Sequence, residues 1–547
     1  MLKNIKTTLF AIMAITMTFS CEDDFLDTTP TDAISASDAL ANEDNMQLVL
    51  NGLHRALYSQ SQTIFPGGST NRANNHFWIP MGDALTGGII HSADANNLGW
   101  RDLAQWNEHT LPTSLTTEIL WYSRYNIIAG ANLLINRINE GVLTDSDKLK
   151  EIEGQAYAYR AYAYLSLVQH YAKGYLVGNP STDAGVPILL SSESPFNSAP
   201  RSTVQEVYDL IEADLNASIT AFDGATTRSG DAAGKSQLNI DVAYGLLART
   251  ALSKGDWQTA ADAAVMARAD YPLMDEADYK SGFNTNNLSE VIWGSNVIAA
   301  ETTFFRSYFY LASNTFNGSQ VRNNPKIADR RLVDAIPDTD YRKDLFIINA
   351  PNTNTSAANG QGGFGNDPNY TDEEVFEATV DSLKSLYGLT SAFNLHPYMH
   401  FKLKNANPGS IDPDDVIIMR SSEMYLIEAE AKAMMNDIAG AQQALSSLVS
   451  VRDSAYDVTI FNTQNSLMEQ IKFQRRLELW GEGFGYTDHI RWDEGIDHTA
   501  DGGSGASQVL YQDAFQQDPP STNNDWIFKI PQAEIDANPN LTSADQN

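Results

Sequence analysis

The side chains with chemical potential in this sequence are carboxylates, a few histidines and many aromatic rings. Asp488, His489, Asp493 and His498 fall together in the stretch YTDHIRWDEGIDH. Carboxylates and imidazoles at this density are what a metal site or an acid–base pair requires. The same run fits a second use better, with Glu478, Glu482, Asp488, Arg491 and Trp492 forming one structural network around a last helix. No HExxH, GxSxG or Gly-rich phosphate loop occurs, and no carboxylate pair stands at a known hydrolase spacing. The DPDD run, Asp412 to Asp415, lacks the spacing of a calcium loop and reads as a solvated turn. The sequence therefore predicts no catalytic residue, no metal ligand and no cofactor.

Sugar capture asks for different residues. The C–H face of a sugar stacks on a flat aromatic ring, and its hydroxyls need amides, carboxylates or arginine to fix their orientation. Two irregular segments supply both. One holds Trp78, Trp100 and Trp106 with Asp83, Asn96, Asn97 and Arg101; the other holds Phe305, Arg306, Tyr308, Tyr310 and Asn314. The expected ligand contacts are Trp78, Asp83, Trp100, Trp106, Tyr308 and Tyr310, with several of the rings converging on one exposed surface. Trp121, Trp257 and Trp492 lie on expected helices or turns and read as core.

Helical periodicity supplies the scaffold for these segments. Met46, Val49, Leu50, Leu53 and Leu57 recur at helical spacing behind an Asn/Asp cap. Two long periodic runs follow, TEILWYSRYNIIAGANLLINRI and DKLKEIEGQAYAYRAYAYLSLVQHYA, then the amphipathic run from Val204 to Ile219. Residues 241–274 fit the 34-residue tetratricopeptide pattern. Tyr244, Leu247, Ala248 and Ala251 fall on its first helix, Gly255 at the turn, and Ala260, Ala264 and Ala267 on its second. A second copy places Tyr425, Ala429, Ala441, Leu445 and Leu448 equivalently, with Asn436 at the turn. Helical pairs are thus expected at about 118–172, 203–272 and 420–452. Segment 59–117 shows no clear helix and segment 275–413 only a few, and the second should contain short strands and ordered loops. SLMEQIKFQRRLELWGEGFGYTDHIRW reads as one last helix, and WIFKIPQAEIDANPNL as extended structure ending in turns. The predicted class is mostly α: tetratricopeptide-like helix pairs forming a helical body, with an irregular, loop-rich part containing short strands.

Composition and the first residues bound the setting. The 547 residues are 42% hydrophobic and 19% charged, a globular composition. Acidic residues outnumber basic ones 69 to 36, for a formal charge of -33. Such a field repels phosphate backbones, so a nucleic-acid partner is not expected. Lys3 and Lys6 precede an apolar run from Leu9 to Phe19, the layout of an export signal and too short for a membrane span. Ser20 and then Cys21, the only cysteine, close it. The arrangement is similar to a bacterial lipoprotein signal, with the Cys21 thiol as the lipidation site and Thr18 departing from the usual leucine-like residue. The expected organisation is a signal peptide over 1–20, an anchor and tether over 21–37, and a single domain over 38–547.

Taken in order, these motifs resemble the SusD/RagB family of Bacteroidetes surface lipoproteins, along nearly the whole chain. DFLDTTP after Cys21 is similar to the family's D-F-L-D-x-x-P opening. WYSRYNIIAGANLLI, APRSTVQEVYDLIEADL, RSSEMYLIEAEAKA, RRLELWGEGFGYTDHIRW and FKIPQAEIDANPNL follow its later motifs. Gly485 or Tyr486 stands where arginine is common, and His489 where leucine is. The resemblance implies four tetratricopeptide-like pairs, no enzymatic activity, and ligand contacts from the two aromatic segments. It also implies an outward-facing, lipid-anchored protein of the cell outer membrane, with Glu22, Asp23 and Asp24 resembling the surface-export signal. Its role would be to capture oligosaccharide, or sometimes peptide, and deliver it to a SusC-like TonB-dependent transporter. The alternative is a surface-anchored tetratricopeptide-like scaffold that binds only proteins.

Overall fold

The computed structural model describes residues 40–60, 62–65, 68–70, 74–91, 100–191, 198–225, 228–305, 307–355, 362–497 and 516–547. The expected signal, the Cys21 lipidation site, the tether, Asn96, Asn97, Arg306 and His498 lie outside them. The helices are α1 (Glu43–Ala56), α2 (Asn75–Thr86), α3 (Trp100–Ala104), α4 (Leu115–Asn139), α5 (Asp147–Tyr171) and α6 (Val204–Phe222). They continue with α7 (Ile240–Lys254), α8 (Trp257–Ala267), α9 (Tyr308–Ala312), α10 (Glu373–Leu386) and α11 (Ser421–Met434). The last four discussed are α12 (Ile438–Arg452), α13 (Gln464–Glu478), α14 (Gly485–Trp492) and α15 (Gln532–Ala537).

The body is built by neighbour-to-neighbour packing: α4 on α5, α5 on α6, α6 on α7, α7 on α8, α8 on α11, and α11 on both α12 and α13. The tetratricopeptide reading holds at its turns. Gly255 and Asn436 both have left-handed backbones, φ +77° and +62°, which end α7 and reverse the chain between α11 and α12. Ala260, Ala264, Ala267, Ala429 and Ala441 are buried, so small side chains let the paired helices approach. Side chains cap the helix starts: Ser114 accepts from Thr117 N, Ser146 from Leu149 N, and Thr203 and Glu206 form a capping box.

The loop-rich segments are stitched together by short strands. β1 (Ile90–His91), β3 (Lys326–Ile327), β4 (Phe346–Ile347) and β5 (Met399–His400) form a sheet in the order β1-β3-β5-β4. β2 (Val291–Ser295) pairs antiparallel with β6 (Val416–Arg420), both wholly buried. The sheet thereby fastens segment 59–117 to segment 275–413.

Four expectations need correction. Segment 59–117 contains α2, a helix without an apolar stripe because it is buried on nearly every side, with Pro80 inside it. The expected last helix is two, α13 and α14, broken where Gly481 and Gly483 take left-handed φ of +82° and +90°, and α15 interrupts the extended tail. The DPDD run is solvated only at its start: Asp412 is exposed, whereas Asp415 is buried and accepts from Asn286 N at 2.9 Å and Val297 N at 3.0 Å.

Candidate functional site

The break between α13 and α14 is fixed from below. Glu478, the last residue of α13, is fully buried and meets three arginines. Its Oε1 accepts from Arg420 Nη1 at 2.7 Å and Arg452 Nη2 at 3.1 Å, and its Oε2 from Arg342 Nη1 at 2.8 Å. Arg420 and Arg452 also bond Glu290, Arg342 bonds Asp340, and Lys402 and Arg420 both hold Glu482. Four carboxylates thus face four cations with almost no solvent access. Burial would raise the Glu478 carboxyl, but Arg452, Arg420 and Arg342 hold it well below the usual range.

The α14 side is fixed from α2. Asp83 accepts from Gly483 N at 2.8 Å and Gly485 N at 3.1 Å, filling donors at the start of α14 that α14 itself leaves open. Burial still pushes its carboxyl up to about 7. The two chains approach so closely that a Cβ on Gly82 would stand 2.4 Å from Gly483 O. Gly485 is equally confined: a Cβ there would meet Thr86 Oγ1 at 2.4 Å and Asp83 Oδ1 at 2.9 Å. The Trp480 indole donates to Gly88 O at 2.6 Å and closes the loop against α2.

These supports frame a cleft of about 610 Å³ between the end of α2, residues 329–332, α13, α14 and residues 494–497. Trp480 and Leu479 form its buried floor, and Phe473, Phe484 and Trp492 stand half-buried along it. Glu469, Phe473 and Arg476 reach it from one face of α13, spaced i, i+4, i+7. Arg331, Glu494 and Asp497 complete a polar rim. Six carboxylates and three arginines line the cleft, so it favours a neutral or cationic ligand.

Asp488 and His489 border this cleft without forming an acid–base pair. Asp488 is clamped by Arg475 Nε at 2.7 Å and Arg491 Nε at 2.9 Å; burial opposes its charge, but the two arginines keep its carboxyl below the usual range. Burial, and next Arg476, lower the His489 imidazole to about 4, and its ring stacks on Trp526. Asp493 accepts from Ser521 N. The expected single network is two: Glu478 and Glu482 belong to the buried arginine cluster, while Asp488, Arg491 and Trp492 join through Arg475 and Glu430. Among the described residues no three His, Cys, Asp or Glu side chains gather as a metal site.

Among the described side chains the exposed convergence of aromatic rings is not formed. Trp78 is 7% exposed, Trp106 3%, Tyr308 3% and Tyr310 4%. Trp106 packs edge-on to Trp526 and donates to Leu85 O at 2.9 Å; Tyr308 donates to Gly481 O at 2.9 Å; Tyr310 packs on Phe305 and Phe316. These rings plug the core, Trp78 from α2, Tyr308 and Tyr310 from α9, and Trp106 from the turn after α3. Trp100 begins α3, and its side chain lies outside the described ones. Of the six expected contacts, Asp83 borders the cleft. Trp121 is core as expected, whereas Trp492 is a half-buried cleft residue. Sequence reasoning missed Phe473 and Arg476, for which the available signal is their spacing on one face of α13.

Comparison with known proteins places this geometry. The profile of the SusD family matches residues 265–547, over half the chain, and one described as starch-binding, associating with outer membrane, matches residues 82–252. The chain belongs to the SusD family. The SusD-like protein P38 of Formosa agariphila is 24% identical, with 90% of this chain and 92% of that protein covered. SusD-like protein P2 of the same organism is 23% identical, with 97% of each covered. Among solved structures, a SusD-like carbohydrate binding protein from Bacteroides vulgatus superposes with a TM-score of 0.69 at 22% identity, covering 92% of this chain and 98% of that one. Surface glycan-binding protein A from Bacteroides fluxus gives 0.61 at 17% identity, covering 91% and 97%. The helical SusD fold expected from the motifs is therefore the fold of this chain. No helix among its described residues is long and apolar enough to cross a membrane.

Proposed function

We propose that this SusD-family chain is an outward-facing, lipid-anchored outer-membrane protein that captures oligosaccharide, or in second place peptide, and delivers it to a SusC-like TonB-dependent transporter. It acts as a binding protein and not as an enzyme. Residues 1–20 serve as the signal, Cys21 carries the lipid, residues 21–37 are the tether, and residues 38–547 are one domain. Family membership supports the role, and the names of its relatives, a carbohydrate binding protein and a surface glycan-binding protein, support the ligand class.

The observation that carries the reading is the cleft. Phe473, Phe484 and Trp492 offer apolar contact, while Arg331, Arg476, Glu469 and Asp497 offer donors and acceptors at its rim. Its acidic balance points to a neutral glycan in preference to a polyanionic one. Asp83 acts there as a positioning residue, and Trp100 stays a proposed contact. Calorimetry of the purified chain against neutral glycans, acidic glycans and peptides tests this: a neutral glycan should bind without turnover.

Burial of Trp78, Trp106, Tyr308 and Tyr310 favours a second reading, the protein-only scaffold. Binding to a transporter barrel, with no glycan or peptide bound, would establish that reading and remove the first.

A further inference from the structure

A second cavity lies on the other side of the α2–α14 contact, about 130 Å³ in volume, between α2, α4, α5 and residues 482–487. Three side chains lining it carry buried donors without a hydrogen-bond partner: Arg124 Nη1, Asn75 Nδ2 and Trp78 Nε1. They belong together. Asn75 and Trp78 are one turn apart on α2, and Arg124 Nη2 donates to Asn75 Oδ1 at 3.1 Å. That amide orientation is set twice, because Tyr162 OH also donates to Asn75 Oδ1, at 3.0 Å, which leaves Nδ2 as the free end.

The charge is as unbalanced as the hydrogen bonding. Arg124 is 2% exposed, and its remaining contacts are neutral: Nε donates to Ser166 Oγ at 3.0 Å and Nη2 approaches Tyr162 OH at 3.5 Å. The other charged groups lining the cavity are already matched. Arg249 is bidentate to Glu423, and Glu482 is shared by Arg420 and Lys402. His170, brought down to about 4 by burial, is neutral. A buried guanidinium with no carboxylate is the costly case, and a neutral water would complete its hydrogen bonds without offsetting its charge.

We propose that this cavity is a binding site for one small monovalent anion, a halide or a small carboxylate such as formate, held by Arg124, Asn75 and Trp78. One unmatched cation and the nearby Glu482 carboxylate set the limit at a single negative charge. Half-buried Gln169, Phe484 and Thr487 form the rim through which the ion exchanges. The site shares one lining residue, Phe484, with the glycan cleft, and none of its three donors lines that cleft.

The test is melting of the purified chain in sodium bromide or sodium formate against sodium gluconate at equal ionic strength, with anomalous diffraction from crystals grown in bromide. The expected results are a saturable rise in Tm with bromide, with formate or with both, and a bromide peak bridging the three donors where bromide is the ion held. Trp78→Phe keeps the ring and removes one donor, so it should raise the half-saturating concentration about fivefold. Arg124→Met should abolish the anion dependence; if it does not fold, Trp78→Phe carries the test. Equal Tm in all three salts, a rise that Trp78→Phe leaves unchanged, or only water density among the three donors in crystals from every salt, would overturn the assignment.

Discussion

Replacing Glu478 with Gln should be among the most damaging single-atom changes available in this protein. The substitution preserves volume and removes one charge from a cluster in which Glu478, Glu290, Glu482 and Asp340 face Arg342, Arg420, Arg452 and Lys402. The cluster goes from balanced to one uncompensated positive charge, at a site with no solvent exposure. The new amide also points a donor at guanidinium groups that are themselves only donors. Breaking a buried pair from one side costs about 3–5 kcal/mol, against about 0–1 kcal/mol for an exposed pair. Denaturant unfolding followed by tryptophan fluorescence measures the difference, with Glu140→Gln at the exposed Arg137 pair as the internal control. The sign with pH follows from the same contacts. A carboxyl held below its ordinary 4.5 stabilises the fold above that pH, and the contribution is lost as pH falls toward the depressed value. The wild type should therefore lose stability below pH 4.5 more steeply than the variant. A loss under about 1 kcal/mol, or identical acid limbs, would refute the claim that this cluster holds the α13–α14 break.

Three further outcomes follow. Gly82→Ala should cost about 1–3 kcal/mol and loosen the α2–α14 contact, because its Cβ would meet a backbone carbonyl; a neutral effect in chemical unfolding would contradict that packing. Asp83, pushed by burial from 3.8 up to about 7, binds its proton more tightly folded than unfolded, so its contribution falls as pH rises through that window; Asp83→Asn should flatten the decline seen in thermal melts. Cys21→Ser should move the chain out of the membrane fraction, and its unchanged retention there would remove the lipid-anchor proposal.

The helical body was legible because its signals are local. The periodic residues of α4 and α5, the small residues of α7 and α8, and the turn residues Gly255 and Asn436 all act within a few turns of chain. Helix α2 was not legible: buried almost all round, it shows no polar face to set a period. The arginine cluster was out of reach for another reason. Arg420 and Glu478 are 58 residues apart, and Arg342 and Glu478 are 136 apart, so no window contains the partnership. The aromatic segments carried the right residue types, but a ring that stacks on sugar and a ring that plugs a core leave the same mark in sequence. Trp492 shows the converse, a helix-end tryptophan that reads as core and stands in the cleft. Asp83 was singled out as a ligand contact; its two hydrogen bonds go to the backbone that starts α14, and it reaches the cleft as part of the wall.

The most direct test of the functional account is calorimetry of Phe473→Ala beside the unaltered chain, using whichever neutral glycan the unaltered chain binds. Phe473 lies half-buried on the cleft wall, so its loss should weaken binding by about tenfold, the weight of one ring contact, while thermal stability changes little. Glycan binding equally tight in Phe473→Ala would show that the ligand sits elsewhere on the molecule.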